Sequence, residues 1–341
     1  MSLGINTTTP EGIVLGSDSR QSYRNLKGMS RVGSDSASKI FKLSSRVGLI
    51  VTGLAFLPDN GVQKNISRFV DDFKGSLDGE KLTVYEISEK LKDFFEGKYQ
   101  YQDQLKQLVP QIKADLERQG CEVIEINEEK DHIKFKFKDS TGLQKQGIAG
   151  VDQLQFIVAG YNQDGSHQVA MVYVPGDIDL KRDSTKKGKE YGASWIGQTD
   201  VVTRIVLGFD NRMGNLPMIQ KVANEINKEE VQKQLGSLEY VIQWGTMTLQ
   251  DGIDFSVLVI ETTTAIQRFS DGIAGDPGDM PGVGGPIDVA VITPEKGFVW
   301  ITKKTLKIGD KEVDLESVNN LQTPSLQKLT LKKSLKVKES I

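Results

Sequence analysis

The sequence has few of the side chains that bind transition metals or serve as a general base beside a nucleophile. It contains one cysteine, Cys121, and two histidines, His132 and His167, among 341 residues. A structural zinc site needs about four Cys or His ligands, and a disulfide framework needs paired cysteines. We interpret both histidines as surface or turn residues, which disfavours a catalytic triad. We therefore expect no metal, no cofactor and a reducing compartment.

Long apolar runs and a strong charge imbalance are also missing. No apolar run reaches the roughly 18 residues that span a bilayer, and no basic segment followed by an apolar one marks a signal peptide. The chain carries 43 basic and 46 acidic residues, a formal net charge of −3. Because this composition offers no broad attraction to nucleic acid or to anionic lipid, we expect a cytoplasmic protein that binds neither.

Apolar periodicity predicts strands, two helices, strands, two helices and strands, in that order. The predicted strands cover residues 12–16, 39–43, 47–53, 154–160, 168–174, 287–293 and 298–301. A hairpin or long loop is expected between residues 21 and 38. The predicted helices open at Pro58, at Thr83, at about Asp200 and at Thr248, the last with a sequence typical of a capping box.

Residues from about 97 to 152 interrupt this order. A helix is predicted from Pro110 to Arg118, with the proline in its first turn, where a missing N–H is harmless. Residues 121–126 and 132–137 alternate as a small pair of strands. We expect a small α/β insertion within a domain of residues 1–310, followed by a C-terminal extension over residues 311–341.

One glycine-rich stretch resembles a phosphate-binding loop only superficially. Gly282, Gly284 and Gly285 form Gly-x-Gly-Gly, but a strand follows them and no Lys-Ser/Thr opens a helix. Phosphate cradles of this kind need that helix, so we do not expect a nucleotide site.

The N-terminus offers a different chemistry. A terminal Ser or Thr needs no histidine, because its own α-amino group can take the hydroxyl proton. A buried lysine nearby favours the neutral amine, and a carboxylate would hold that lysine in place. Ser2, Asp18 and Lys39 supply these groups, provided that Met1 is removed.

Three stretches resemble the proteasome β-subunit family, the threonine-dependent N-terminal nucleophile hydrolases. They are GIVLGSDSR at residues 12–20, KIFKL at 39–43 leading to VTGL at 51–54, and GPIDVAVIT at 285–293, with the preceding helix over residues 249–268. The similarity covers most of the chain outside residues 97–152 and the C-terminal extension. It implies a four-layer αββα sandwich, an α+β fold, with the small α/β insertion.

The resemblance also implies roles for individual residues. Aligned on Asp18, the family's nucleophile falls on Ser2, sixteen positions earlier. The catalytic lysine falls on Lys39, and Gly53, fourteen residues further on, would donate its N–H to the oxyanion. Val51 would lie near the floor of the specificity pocket and favour a medium apolar side chain.

The sequence departs from the family at several positions. The nucleophile is Ser instead of Thr, and the family's supporting serine falls near Gln198. Its Asp-x-x-Ser-Gly-Gly motif is replaced by a long loop over residues 271–285, with Val283 at the serine. The aspartate of that motif corresponds to Asp271 or to Asp279, and we prefer Asp271 because it follows Gln267 and Arg268.

The expected function is hydrolysis of peptide bonds through Ser2, in a ring or stacked homo-oligomer that the resemblance alone implies. Two alternatives remain open at this point. The chain is a catalytically inactive structural or regulatory subunit of the same fold, or it hydrolyses the amide bond of a small molecule. The lost supporting serine favours the inactive subunit, whereas the retained Asp18, Lys39 and Gly53 favour catalysis.

Overall fold

A computed structural model describes residues 2–25, 27–209, 211–225, 227–274, 276–277, 280–309 and 311–313. The chain forms two compact units, residues 1–303 and residues 304–341. Met1 and the part of the expected C-terminal extension from residue 314 onward lie outside the described residues. Among those residues, no helix is both long enough and apolar enough to cross a membrane.

The described strands are numbered in chain order. They are β1 (Leu3–Thr9), β2 (Gly12–Ser17), β3 (Gln21–Arg24), β4 (Ser30–Ser34), β5 (Ile40–Lys42), β6 (Val47–Gly53), β7 (Phe56–Asp59), β8 (Val62–Asn65), β9 (Glu122–Glu128), β10 (His132–Lys138), β11 (Gln144–Gly150), β12 (Leu154–Tyr161), β13 (His167–Val174), β14 (Ile178–Asp183), β15 (Gly192–Gly197), β16 (Gly272–Ile273), β17 (Asp276–Pro277), β18 (Asp288–Thr293), β19 (Gly297–Thr302), β20 (Leu306–Ile308) and β21 (Lys311–Val313). The last two pair as a short hairpin within the second unit.

The helices are numbered in the same way. They are α1 (Ile66–Gly75), α2 (Val84–Lys98), α3 (Tyr101–Arg118), α4 (Asp200–Leu207), α5 (Pro217–Glu225), α6 (Lys228–Gly236) and α7 (Leu249–Phe269), with 3₁₀ turns at Asn211–Asn215 and Trp244–Thr246. Helices α2 and α7 begin with capping boxes, in which Thr83 pairs with Glu86 and Thr248 with Asp251. Each box satisfies two backbone donors that the helix start would otherwise leave open.

The prediction of a four-layer αββα sandwich is wrong for this chain. The described secondary structure is mostly β, and its strands are divided among seven antiparallel sheets, five of which have only two or three strands. Polar segments form local hairpins, namely β3–β4, where a hairpin or a long loop was expected, and β7–β8, where a helix was expected. Strand pairing within a short segment needs little loop-closure entropy, which favours these small sheets.

Two five-stranded sheets carry most of the core of residues 1–303. The first has the order β15-β1-β2-β18-β19 and the second the order β14-β13-β12-β6-β5. Leu15 of the first sheet and Ile50 of the second belong to one buried apolar cluster, so the two sheets contact each other. Helices α4 and α7 cover Leu3 and Ile5 of β1, while α1 and α2 share a second cluster with β6 and β12.

Local departures from the predicted elements have identifiable causes. Pro58 lies in strand β7, which turns at Asn60-Gly61 into β8, and α1 begins only at Ile66. Asn-Gly is a strong hairpin signal because both residues tolerate a positive φ, and Asn60 has a φ of 51°. Pro110 lies inside the longer helix α3 instead of in its first turn.

The region around residues 97–152 holds helix α3 and a three-stranded sheet of order β11-β10-β9. The predicted strand pair is present, and β11 was not predicted. Helix α3 packs on β9 and β10, where the buried Leu105 and Ile133 join the same apolar cluster. Burial of this helix face outweighs the cost of an internal proline, about 3 kcal/mol.

Candidate active site

Strand β1 starts next to the end of β2, and this pairing brings Ser2 close to Asp18. The antiparallel register places Gly4 opposite Ser17. Leu3 precedes Gly4, and Asp18 follows Ser17. The Leu3 N–H donates to Asp18 Oδ1 at 3.0 Å, and the Asp18 N–H donates to the Leu3 carbonyl at 3.3 Å. Ser2 is buried, with a relative exposure of 6%. Ser2, the residue before Leu3, is therefore held beside the Asp18 carboxylate.

Asp18 and Lys39 form a buried ion pair. Lys39 Nζ lies 2.6 Å from Asp18 Oδ1, and the two side chains are 6% and 0% exposed. A buried pair is stable only when further hydrogen bonds satisfy the charges. Asp18 Oδ2 meets this need, since it accepts the N–H groups of Arg20 and Gly284, each at 3.0 Å. The carboxylate is thus held rigidly from four directions.

Gly53 lies at the end of β6, where only glycine fits. Its φ is +95°, and a Cβ at this position would lie 2.0 Å from the Gln153 carbonyl oxygen. The left-handed conformation is open to glycine at no steric cost, and the absent side chain lets the backbone of residue 153 approach. Position 53 thus presents bare backbone beside the cavity described next.

A small cavity joins the predicted site residues. Its lining includes Ser2, Lys39, Val51 and Gly53, and its volume is about 30 Å³. The remaining lining residues are Gln21, Ser22, Ala37, Ser38, Thr52, Leu54, Ala55, Asn65 and Ile66. Space of this size accommodates about one water molecule. Val51 contributes to the lining as the sequence predicts, but the cavity is smaller than a medium apolar side chain requires.

Thr52 adds a polar group that the sequence did not single out. It is 3% exposed, and within the described structure its Oγ1 atom is buried without a hydrogen-bond partner. Its Cβ faces Gly197 and its methyl group faces Gly4, which places the side chain between β6 and the first residues of β1. An unsatisfied buried hydroxyl typically costs about 1–3 kcal/mol, so this position is suited to accept a polar atom.

The carbonyl group of Ser2 is bound from β15. The Gln198 N–H donates to it at 2.7 Å, and Gly197 approaches so closely that a Cβ there would lie 2.0 Å from the same oxygen. The Gly197 N–H donates to Gln155 Oε1 at 2.8 Å. The backbone N–H groups of Gly197 and Gln198, which lie beside the Ser2 carbonyl, are therefore both held by hydrogen bonds.

Gln267, near the end of α7, connects the two sides of the site. Its Nε2 donates to Gln198 Oε1 at 2.7 Å, and its Oε1 accepts the N–H groups of Gly282 and Val283 at 3.0 and 2.9 Å. Gly284, the next residue along, donates to Asp18. One amide side chain thus holds both the segment that binds the Ser2 carbonyl and the loop that binds the carboxylate.

Asp271 does not join the other predicted residues. It is exposed, directly after the C-cap Ser270 of α7, and the described residues include no hydrogen-bond or ion-pair partner for its carboxylate. Asp279, the alternative, lies outside the described residues. Gln267 was missed, although a signal existed. It continues the buried stripe of α7 at Ser256, Ile260 and Thr263, and a polar residue in such a stripe indicates a buried contact.

A second carboxylate fixes the same loop from outside. Arg20 donates to both oxygens of Asp35, at 2.7 and 3.1 Å, and also to the Pro281 carbonyl. Hydrogen bonding to the Arg20 guanidinium lowers the pKa of the Asp35 carboxyl below its usual value. Ser19 adds bonds to the Gly284 and Pro286 carbonyls. The chain after Asp18 therefore anchors the loop on which Gly284 lies.

No model of a known protein family matches this chain, and a search of curated proteins finds no significant match. The similarity to the proteasome β-subunit family therefore stays a prediction from the quoted motifs.

The two histidines lie away from Ser2 and Asp18. His132 is half-buried and contacts Asp131 through Nδ1 at 2.6 Å. His167, which we expected at the surface or in a turn, is buried at the start of β13, with its Nε2 2.8 Å from the Glu190 carbonyl. Across the described residues, no three His, Cys, Asp or Glu side chains cluster as metal ligands would.

Proposed function

We propose that this protein is an amide hydrolase, and specifically a peptidase, whose nucleophile is the Ser2 hydroxyl once Met1 has been removed. The observation that carries the proposal is the buried Lys39–Asp18 pair. The carboxylate oxygen that receives Lys39 also receives the N–H next to Ser2. A buried lysine and carboxylate beside the chain terminus are the groups that N-terminal nucleophile chemistry uses.

The proposed reaction proceeds in two steps. The α-amino group of Ser2 takes the Oγ proton while Oγ bonds to the carbonyl carbon of the substrate. The resulting oxyanion is stabilised by a backbone N–H, for which Gly53 is the candidate. Collapse breaks the C–N bond, and the leaving amine takes the proton from the Ser2 ammonium group.

Water completes the cycle. The α-amino group takes a proton from a water molecule while the water oxygen attacks the carbonyl carbon of the ester formed on Ser2. The acid then leaves and the Ser2 hydroxyl is restored. Lys39 and Asp18 form or break no bond in either step and act by electrostatics and position. The small volume beside Ser2 supports an acyl side with a small side chain, such as alanine, in place of the medium apolar one expected from Val51.

The substrate and the assembly belong to the same proposal. A peptide is the favoured substrate, with a small-molecule amide as the alternative, and a homo-oligomer follows from the sequence similarity. Native mass spectrometry tests the oligomer directly, since a monomer at micromolar concentration would contradict it.

A second candidate, a subunit of the same lineage without activity, is favoured by the burial of Ser2 and by the small space beside it. Ser2 is 6% exposed, and the cavity beside it has a volume of about 30 Å³. Gln198 and Val283 also stand where the family has hydroxyl groups. In this case the Lys39–Asp18 pair would serve stability alone.

The experiment that separates the two candidates is covalent labelling with a peptide epoxyketone, which bonds to both the hydroxyl and the free amine of a terminal Ser or Thr. We expect an adduct in the intact mass that maps to Ser2 and is absent from Ser2→Ala. Ser38→Ala is the matched control, because it removes another hydroxyl from the cavity lining and should retain the adduct. If protein that has lost Met1 gives no adduct, the hydrolase proposal fails and the inactive subunit is the remaining candidate.

A further inference from the structure

Thr52 of β6 lines the same small cavity as Ser2 and carries a hydroxyl group that the proposed reaction does not use. The side chain is 3% exposed, and within the described residues its Oγ1 atom has no hydrogen-bond partner. Most buried polar atoms in proteins have a partner, and an exception calls for an explanation such as a role in catalysis. The Thr52 hydroxyl is therefore a candidate for a contact that forms when Met1 is removed.

The alternation of side chains along the strands places Thr52 and Ser2 on facing surfaces of the two large sheets. A Cβ at Gly4 of β1 would lie 2.6 Å from Ile50 Cγ2 and 3.4 Å from Thr52 Cγ2, so position 4 faces β6. Side chains two residues apart in a strand point to the same face of the sheet. Ser2 precedes Gly4 by two residues. We therefore expect the Ser2 side chain to face β6 as well, at the end of the strand where Thr52 lies.

Gly197, at the end of β15, lies against both residues. A Cβ at this glycine would lie 2.0 Å from the Ser2 carbonyl oxygen, 2.9 Å from the Ser2 carbonyl carbon and 3.4 Å from Thr52 Cβ. The Ser2 backbone and the Thr52 side chain thus share one close neighbour. The burial, the shared cavity and the shared neighbour together place the Thr52 side chain beside the Ser2 backbone.

Removal of Met1 changes what the Ser2 nitrogen can bind. In a chain that keeps Met1, this nitrogen belongs to a peptide bond and has one N–H donor. As a free amine it has two donors and a lone pair, and a general base must direct that lone pair at the proton it takes. An acceptor for one of the amine N–H groups fixes this direction. A threonine hydroxyl has two lone pairs that can accept such a bond.

We propose that Thr52 is a positioning residue for the terminal amine. Once Met1 has been removed, Thr52 Oγ1 accepts a hydrogen bond from one N–H of the Ser2 α-amino group and turns the amine lone pair toward Ser2 Oγ. The inference rests on the proposed function, because the amine serves as the base only if Ser2 is the nucleophile. Thr52 forms and breaks no covalent bond in either step of the reaction.

Variants of Thr52 test this role through the rate of epoxyketone labelling at Ser2. Thr52→Val keeps the shape of the side chain and its methyl group near Gly4 but removes the hydroxyl. We expect labelling to slow about tenfold or more, because the base is no longer aligned. Thr52→Ser keeps the hydroxyl and should restore a rate close to that of the wild type. Thermal melting checks that both variants fold, and a wild-type rate in Thr52→Val would overturn the proposal.

Ser194→Ala is the matched control. Ser194 of β15 is also buried, and its Oγ atom has no hydrogen-bond partner within the described residues. It is absent from the lining of the cavity at Ser2. We expect this variant to label at the wild-type rate. An equal loss of rate in Ser194→Ala and Thr52→Val would mean that any buried hydroxyl of this kind has the same effect, and would overturn a specific role of Thr52.

The pH dependence separates positioning from mere packing. The labelling rate should rise with pH as the Ser2 ammonium group loses its proton. A hydrogen bond to Thr52 favours the charged ammonium form, so the midpoint of this rise should move to lower pH in Thr52→Val, by about one unit. Thr52→Ser and Ser194→Ala should keep the wild-type midpoint. A slower Thr52→Val with an unchanged midpoint would assign the effect to packing and overturn the proposal.

Titration of the amine itself keeps this inference separate from the proposed function. The Ser2 α-amino group is acetylated with trace acetic anhydride over a range of pH, and mass spectrometry of the N-terminal peptide gives the midpoint without any catalysis. A lower midpoint in Thr52→Val supports the contact even if no epoxyketone adduct forms, in which case only the proposed function fails. Equal midpoints in the variant and the wild type would overturn the contact whether or not Ser2 is labelled. Retention of Met1 would overturn both proposals.

Discussion

Lys39 Nζ and Asp18 Oδ1 lie 2.6 Å apart in the interior of the protein. Asp18 directly follows strand β2 and Lys39 directly precedes β5, so the pair links the two large sheets. The same carboxylate accepts the N–H groups of Leu3, Arg20 and Gly284. One buried charge therefore organises the chain terminus, the turn after β2 and the loop before β18.

The two partners of this pair should differ in their contribution to stability. Asp18→Asn removes the charge that compensates Lys39 and weakens three backbone hydrogen bonds, so we expect the free energy of unfolding to fall by about 3–5 kcal/mol. Lys39→Met should lower it less, because the carboxylate keeps its three N–H donors. Urea unfolding of both variants gives the comparison, and an equal or reversed order would contradict it. Both variants should lose labelling at Ser2.

Gly53→Ala should destabilise the protein more than a glycine substitution at a comparable φ in open space. At Gly53 the new Cβ would lie 2.0 Å from the Gln153 carbonyl, and φ is +95°. Gly61 is the control, because its φ is +80° and nothing lies within 4 Å of a Cβ. Gly61→Ala should cost about 1–2 kcal/mol from backbone strain alone.

For Gly53→Ala the steric conflict adds to that strain, and the backbone must move at the position proposed to bind the oxyanion. We expect the midpoint of urea unfolding to fall below that of Gly61→Ala, and the rate of epoxyketone labelling to fall with it. Equal stability of the two variants would show that the backbone near residue 153 can move away from the new Cβ without lowering the free energy of unfolding.

Sequence alone predicted those parts of the fold whose signals are local. The capping box at Thr248, the helix start at Thr83 and the strands β6 and β12 follow from spacing over a few residues, and the structure has them. The hairpin at Asn60 was missed although its signal is also local, because Pro58 is equally typical of the first turn of a helix. The division into seven sheets could not be predicted, since it depends on which strands pair across long stretches of chain.

The residues of the candidate site were likewise predicted only in part. Ser2, Asp18 and Lys39 were predicted from the chemistry of a terminal nucleophile and from the resemblance to the proteasome β-subunit family, and the structure brings the three residues together. Gln267 replaces Asp271 in the contacts of the loop, because the loop over residues 271–285 has no periodic pattern that fixes its path. Thr52 was missed because a hydroxyl in an apolar strand does not by itself indicate an unsatisfied group.

Gln267→Ala should loosen the loop before β18. The substitution leaves the N–H groups of Gly282 and Val283 and the oxygen of Gln198 without their partner. We expect a loss of about 1–3 kcal/mol and faster hydrogen exchange at residues 282–284. Gln250→Ala is the control on the same helix, because Gln250 is exposed and donates its hydrogen bond to the neighbouring Asp254, away from residues 282–284. Its exchange at residues 282–284 should match the wild type.

Tyr99 should make stability fall in alkaline solution. Burial, with a smaller contribution from Asp152, raises the pKa of Tyr99 to about 12, against about 10 in the unfolded chain. The folded protein therefore retains the phenol proton over a range in which the unfolded chain loses it. Stability from this group is fully present below pH 10 and is lost as the pH rises to about 12, by roughly 2 kcal/mol.

The variant Tyr99→Phe isolates this effect. At pH 7 it loses the hydrogen bond from the Tyr99 hydroxyl to the Asp152 carbonyl and should be less stable than the wild type by about 1 kcal/mol. The difference should shrink and then reverse between pH 10 and 12, because phenylalanine has no proton to lose. Urea unfolding at several pH values measures it, with Tyr85→Phe, at an exposed position of α2, as the control. A difference that stays constant up to pH 12 would mean that the folded protein also ionises Tyr99 near pH 10.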